Sequence, residues 1–163
     1  MLKEKLWTYI VHNNPDLMLN LQQDFSVTSY LEMKVFNVWP LVSQLLAENN
    51  PEYVIEELCM EELTKDLRPS KFNYIQGVFE DEFEEDFLRI KESGMLTYEI
   101  INLITESETV FETLGFMQDN EQDRMLRYAI AGTIRHTWKA SESNQHPNLS
   151  DVGFKEIKSI GVD

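Results

Sequence analysis

Apolar residues recur at every third or fourth position along most of the chain, a spacing typical of α-helices that bury one face. The alternating pattern of β-strands is not visible, and neither are internal repeats or low-complexity tracts. Most of the six glycines and five prolines fall between the periodic segments, where helix ends are expected. The pattern predicts an all-α fold, a compact multihelical array of about six helices joined by short loops.

The six predicted helices follow from their apolar stripes and from the residues at their ends. The first ends or is interrupted at the NNPDL segment, residues 13–17, and the second runs from about residue 25 to residue 47. Pro40 lies inside the second helix and is expected to kink or split it. The predicted N-caps of the second to sixth helices are Ser26, Asn50, Ser70, Thr97 and Asp119, and the predicted ends of the fourth and fifth are Gly94 and Gly115.

The length of 163 residues is enough for one domain and too short for two ordinary ones. The helical period continues to about residue 141 and is lost in the segment that follows. We therefore predict a single helical domain over residues 1–141 and a C-terminal tail over residues 142–163 that is partly ordered at best.

A dense run of acids lies within the fourth predicted helix, where six carboxylates occupy the seven positions from Glu80 to Asp86. On a helical wheel these acids fall mostly between the members of an aromatic and aliphatic stripe. Like charges at i, i+4 cost about 0.2–0.5 kcal/mol per pair, which burial of the stripe outweighs. The plain interpretation is a solvated acidic face on a core helix. The stripe consists of Phe72, Ile75, Phe79, Phe83, Phe87 and Ile90.

The net charge of −15 is concentrated in the middle of the chain, where residues 48–116 carry eighteen acids and five bases. Such a surface repels nucleic acids and anionic membranes, whose binding depends on Lys and Arg. Direct nucleic-acid binding and membrane binding are therefore disfavoured. The single cysteine, Cys59, cannot form an internal disulfide, and no run of eighteen apolar residues or signal-peptide pattern is present. These features predict a cytoplasmic protein.

The motifs of known metal and catalytic sites are missing from the sequence. No Glu-x-x-His pair or Cys/His cluster is present, and DNEQD at residues 119–123 lacks the glycine and glutamate of a calcium loop. Cys59 lies on an apolar stripe, as structural cysteines do. We predict no metal, no cofactor and no catalytic residue. The alternative is an enzyme with an unrecognised site, in a pocket that gathers Trp, His and Arg side chains or carboxylates with perturbed pKa values. The Trp, His and Arg candidates are Trp7, Trp39, Trp138, His12, His136, His146, Arg124, Arg127 and Arg135.

The segment PSKFNYIQGVFEDEF, with Ser70, Lys71, Phe72, Glu82 and Phe83, resembles the central signature of an uncharacterised family of short bacterial proteins. In that family a Ser-Lys-aromatic start and a Glu-Phe pair bracket one helix. NNPDL and NNPEYVIEEL resemble its other conserved corners, so the resemblance covers roughly residues 1–116. It implies a small all-helical protein of the kind often found on mobile genetic elements of anaerobic bacteria. It implies no activity.

The function predicted from these observations is that of a non-catalytic interaction or regulatory protein with an acidic helical face. The face comprises Glu80, Asp81, Glu84 and Glu85, together with Glu57 and Glu61 and their neighbours Glu56 and Glu62. It is expected to steer association with a protein partner that has a basic surface. A sharper hypothesis is that the acids mimic the phosphates of a nucleic acid. A homodimer formed through aromatic residues outside the core is a further alternative.

Overall fold

The computed structural model describes residues 1–145 of the chain. Within these residues all regular secondary structure is helical and there is no strand, which confirms the predicted all-α class. Two single 3₁₀ turns, Lys65–Leu67 and Gln118–Asn120, interrupt the series of α-helices. The α-helices are α1 (Leu2–Asn13), α2 (Pro15–Gln23), α3 (Val27–Ala47), α4 (Glu52–Thr64), α5 (Lys71–Glu82), α6 (Glu84–Ser93), α7 (Leu96–Glu106), α8 (Glu108–Leu114) and α9 (Arg124–Gln145).

The described residues form nine α-helices, so the predicted number of about six is too low. The residues between Asn14 and Asp24 form a helix of their own, α2. Two predicted helices are each divided, one at Phe83 and one at Ser107. Phe83 leaves the helical conformation, with φ −137° and ψ 48°, although it is neither glycine nor proline. No glycine or proline therefore marks the division of the acidic helix.

Several predicted helix ends are confirmed. Ser70 is the N-cap of α5, and its hydroxyl oxygen accepts a hydrogen bond from the Asn73 N–H at 3.0 Å. Gly94 ends α6 with φ 77° and Gly115 ends α8 with φ 76°, values that only glycine adopts without strain. Ser26 also precedes α3, but its side chain makes no capping hydrogen bond.

Three predicted N-caps are displaced. Helix α4 begins at Glu52 with Pro51 as its N-cap, because the Asn50 side chain bonds instead to Leu45 and Glu48. Helix α7 begins two residues earlier than Thr97 predicts, with Met95 as its N-cap. The predicted N-cap Asp119 lies in a 3₁₀ turn, and α9 begins five residues later, where the Asp123 carboxylate accepts the Met125 N–H at 3.0 Å.

Helix α3 is continuous through Pro40, so the proline does not split it. The predicted stripe of this segment begins too early, because Phe25 is 96% exposed and has a positive φ of 52°. The sequence also suggests Val54 and Leu58 for the buried stripe of α4, together with Cys59 and Leu63. In the structure Ile55, Cys59 and Leu63 are buried, whereas Val54 is only partly buried and Leu58 is 38% exposed.

The helices enclose two apolar clusters. The N-terminal cluster is built from α1, α3, α4 and the turn after α4, with Leu6, Ile10 and Cys59 fully buried. The C-terminal cluster is built from α5 to α9 around Phe79, which contacts the rings of Phe87 and Trp138 with centroids 5.9 Å away. Helix α2 contacts α1 and α3 on one side and α7 on the other, so it joins the two groups.

The NNPDL corner and the start of α5 form a polar joint between the two clusters. The Ser70 hydroxyl donates to the Asn13 carbonyl oxygen, and the Asn73 side-chain amide donates to Asn13 Oδ1 at 3.0 Å. The Asn14 side-chain amide donates to the Leu67 carbonyl oxygen at 3.3 Å. Two of the three segments that carry the resemblance, NNPDL and the start of α5, thus contact each other.

The predicted tail begins within the last helix, because α9 extends to Gln145. Residues 146–163, with Phe154 and Ile157, lie outside the described residues. In the described part of the chain no helix is both long and apolar enough to cross a membrane.

Candidate partner-binding surface

The acidic run lies at the junction of two helices. Glu80, Asp81 and Glu82 belong to the last turn of α5, and Glu84, Glu85 and Asp86 to the first turn of α6. All but Asp86 are exposed. Acids stabilise the positive N-terminal end of a helix and destabilise its negative C-terminal end. The α6 acids are therefore favourably placed, whereas those of α5 are not.

Basic side chains neutralise only part of this run. Arg127 of α9 donates to Asp81 at 3.1 Å and to Glu82 at 3.2 Å, and Arg89 pairs with Asp86 at 2.6 Å. Burial lowers the pKa of Arg127, but its hydrogen bonds to Asp81 and Glu82 outweigh that effect and raise it. Three carboxylates form no ion pair with any residue that the structure describes, namely Glu80, Glu84 and Glu85.

Two of the unpaired carboxylates line a surface depression. Its volume is about 340 Å³, and its walls are Glu80, Asp81, Glu84, Phe87 and Leu88. Leu88 is 49% exposed, so the depression combines an apolar wall with three carboxylates. This combination suits a lysine or arginine side chain, whose methylene stem packs on apolar surface while its charged end meets the acids.

The acids of α4 lie on a different part of the molecule. Helix α4 packs on α1 and α3, whereas α5 and α6 pack with α7 and α9. Glu56 pairs with Lys5, and Glu62 with Lys65 at 3.9 Å, which leaves the exposed Glu57 and Glu61 without an ion pair among the described residues. The structure therefore does not place Glu57 and Glu61 around the depression lined by the α5 and α6 acids.

A second depression lies beside the joint, and the sequence gives no sign of it. It has a volume of about 330 Å³, and its lining brings one cation, Arg68, and one anion, Glu121, to one place. The Tyr74 hydroxyl lies near it, buried and without a partner in the described part of the chain, and burial raises its pKa. The full lining is Tyr9, Arg68, Pro69, Ser70, Asn73, Tyr74, Gln118 and Glu121.

The residues proposed for an alternative enzyme site are dispersed. His12 and His136 are exposed, and the depression that contains Arg68 includes neither of them. Trp39 is 58% exposed on α3, whereas Trp7 and Trp138 pack against different apolar clusters.

The single cysteine is inaccessible, and the described residues hold no cluster that could bind a metal ion. Cys59 is 0% exposed, and burial raises the pKa of its thiol, which keeps it protonated and unreactive. Among the described residues no group of three or more His, Cys, Asp or Glu side chains is arranged to hold a metal ion.

Comparison with known proteins adds no relative: the chain matches no protein-family model, no curated protein and no solved structure.

Proposed function

We propose that this protein is a non-catalytic interaction protein that binds a basic protein partner through the α5–α6 acidic face, defined as Glu80, Asp81, Glu84 and Glu85. The observation that carries the proposal is the depression of about 340 Å³ in which three of these carboxylates surround an apolar wall. Charged groups on such a surface raise the rate of encounter with a partner of opposite charge.

The placement of Glu80 and Asp81 supports a role beyond solubility. Both lie in the last turn of α5, where the helix dipole disfavours negative charge by about 0.3–1 kcal/mol at exposed sites. Glu80 has no ion pair in the described structure to offset this cost. Residues that lower stability while remaining exposed are typical of functional surfaces.

The chemistry of the face defines the partner it fits. A lysine- or arginine-rich surface would place one basic side chain in the depression and meet Glu85 at its edge. Proteins that bind nucleic acids have such surfaces. A sharper form of the proposal is therefore that the face mimics phosphates and occupies a nucleic-acid-binding protein. The resemblance to proteins of mobile genetic elements is compatible with this form.

The direct test is capture of partners from a lysate of the protein's own host, with a variant that neutralises the face. We expect the wild-type chain to retain a basic protein at about 0.05 M salt and to lose it at about 0.5 M, because salt screens exposed charges. Neutralisation by Glu80→Gln, Asp81→Asn, Glu84→Gln and Glu85→Gln should abolish retention at the lower salt concentration as well. Competition by duplex DNA would identify the partner as a nucleic-acid-binding protein.

A matched control changes the net charge equally at other places. The exposed acids Glu4, Glu106, Glu112 and Asp119 lie on other parts of the surface, and their conversion to amides also removes four charges. We expect this control to retain the partner. Equal loss in both variants would show that only the net charge matters, and unchanged binding by the first variant would refute the proposed face.

A further inference from the structure

Helix α3 is apolar on two opposite faces. Its inner face carries Leu31, Val38, Val42 and Leu45, all buried in the N-terminal cluster. A helix of a globular protein ordinarily opposes such a face with polar and charged residues. In α3 no charged residue occurs between Lys34 and Glu48.

The outer face of α3 forms one exposed stripe, which we name the α3 stripe. At 3.6 residues per turn its members fall within about 140° of the helix circumference. Phe36 is 78% exposed, Trp39 58%, Leu46 57% and Met33 53%. The full α3 stripe consists of Met33, Phe36, Trp39, Pro40, Ser43 and Leu46, all exposed.

The acids that flank the α3 stripe already have partners within the chain. Glu32 pairs with Lys3 at 3.2 Å, and the Glu48 carboxylate accepts hydrogen bonds from Gln44 and Asn50. The α3 stripe itself carries no charged residue, so in a chain with a net charge of −15 a second copy can approach it with less repulsion than it would meet at the acidic faces.

We propose that the α3 stripe is the contact surface of a homodimer, in which two α3 helices pack antiparallel about a two-fold axis between Trp39 and Pro40. In an antiparallel pair with this axis, a residue of one copy lies level with a residue of the second copy when their two numbers add to the sum of 39 and 40. Phe36 then lies level with Ser43 of the second copy, so a large side chain meets a small one. Met33 lies level with Leu46, and the two Trp39 side chains meet at the axis.

The exposed area is sufficient for a specific but weak dimer. Taking roughly 200 Å² for a fully exposed large side chain, the four large members of the α3 stripe expose roughly 500 Å² per copy. Two copies would bury about 1,000 Å², which is the lower limit for a specific interface. We therefore expect a weak dimer that dissociates on dilution.

Sedimentation of the full chain over a range of concentrations tests the dimer. We expect a reversible monomer–dimer equilibrium whose dissociation constant stays the same or decreases between about 0.05 M and about 0.5 M salt, because salt screens the repulsion between acidic copies. Phe36→Glu should raise the dissociation constant at least about tenfold, because the substitution places two charges in the contact. Tyr128→Glu, at an aromatic residue of α9 that is 73% exposed, is the matched control and should change it less than about twofold.

A cross-link tests the antiparallel register independently. With helix axes about 9 Å apart, the two Cα atoms of residue 40 lie about 6 Å apart, within the range of a disulfide. Pro40→Cys should therefore form covalent dimers on oxidation, whereas Tyr128→Cys should not. The native Cys59 is buried and does not compete.

Other outcomes overturn the proposal. A protein that remains a monomer at every concentration would overturn the homodimer, and the occupant of the α3 stripe would then be residues 146–163 or a separate protein. A dimer that survives Phe36→Glu would also overturn the proposal. The sign of the salt effect separates this dimer from the partner complex of the α5–α6 acidic face, which salt weakens, so either proposal can fail alone.

Discussion

Ser70 combines two roles that a single substitution would remove. Its hydroxyl oxygen accepts the Asn73 N–H at the start of α5, and its hydroxyl hydrogen is donated to the Asn13 carbonyl oxygen across the joint. We expect Ser70→Ala to lower the free energy of unfolding by about 1–2 kcal/mol, measured by urea denaturation. Ser26→Ala is the matched control, because Ser26 precedes α3 without a capping bond, and it should cost less than about 0.5 kcal/mol. Equal losses would show that the joint does not depend on Ser70.

The Asp16 carboxyl in the joint gives a prediction that depends on pH. Burial raises its pKa above the ordinary 3.8, with Lys71 and Glu108 as the nearby charges. Above pH 3.8 the folded state therefore binds more protons than the unfolded state, and stability falls as the pH rises through the raised pKa. We expect Asp16→Asn to stabilise the protein at pH 7, with a gain that disappears below about pH 3.8. A gain that persists in acid would assign the effect to packing instead of charge.

At the scale of the helix, α5 depends on Phe79 more than on its acidic residues. Phe79 is fully buried and contacts the rings of Phe83, Phe87 and Trp138. Phe79→Ala should lower the free energy of unfolding by about 3–5 kcal/mol, the usual cost of such a cavity. Phe36→Ala, measured in dilute solution where the chain is monomeric, should change it by less than about 0.5 kcal/mol, because Phe36 is 78% exposed. A large loss at Phe36 would show that the outer face of α3 contributes to the fold of the monomer.

The helices could be predicted wherever local signals decide their ends. Ser70, Gly94 and Gly115 are such signals, and each lies at a helix end in the structure. The breaks at Phe83 and Ser107 could not be predicted, because neither residue disfavours a helix strongly and packing between helices determines the break. The same limit explains Phe25, whose apolar side chain is exposed although it fits the helical period.

At the scale of the molecule, the sequence predicts which side chains are acidic but not which acids lie together. Exposure of Glu80, Glu84 and Glu85 follows from their positions between the members of the phenylalanine stripe. Their grouping with Leu88 in one depression, and the separation of Glu57 and Glu61 from it, depend on how the two helix groups are joined. Long-range contacts of this kind are not contained in local periodicity.

The net charge of −15 makes the stability of the whole chain depend on salt. Raising the salt concentration from 0.01 M to 0.15 M shortens the Debye length from about 30 Å to about 8 Å, which screens the repulsion among the unpaired acids. Salt also weakens the exposed ion pairs, but these contribute little to stability, so we expect the relief of repulsion to be the larger effect. We therefore expect the free energy of unfolding to rise over this range, measured by urea denaturation. The variant with Glu80, Asp81, Glu84 and Glu85 neutralised should show a smaller rise, because its folded surface repels itself less. A fall with salt would mean that ion pairs such as Arg127 with Asp81 outweigh the repulsion, and the unpaired acids would then carry no detectable cost in stability.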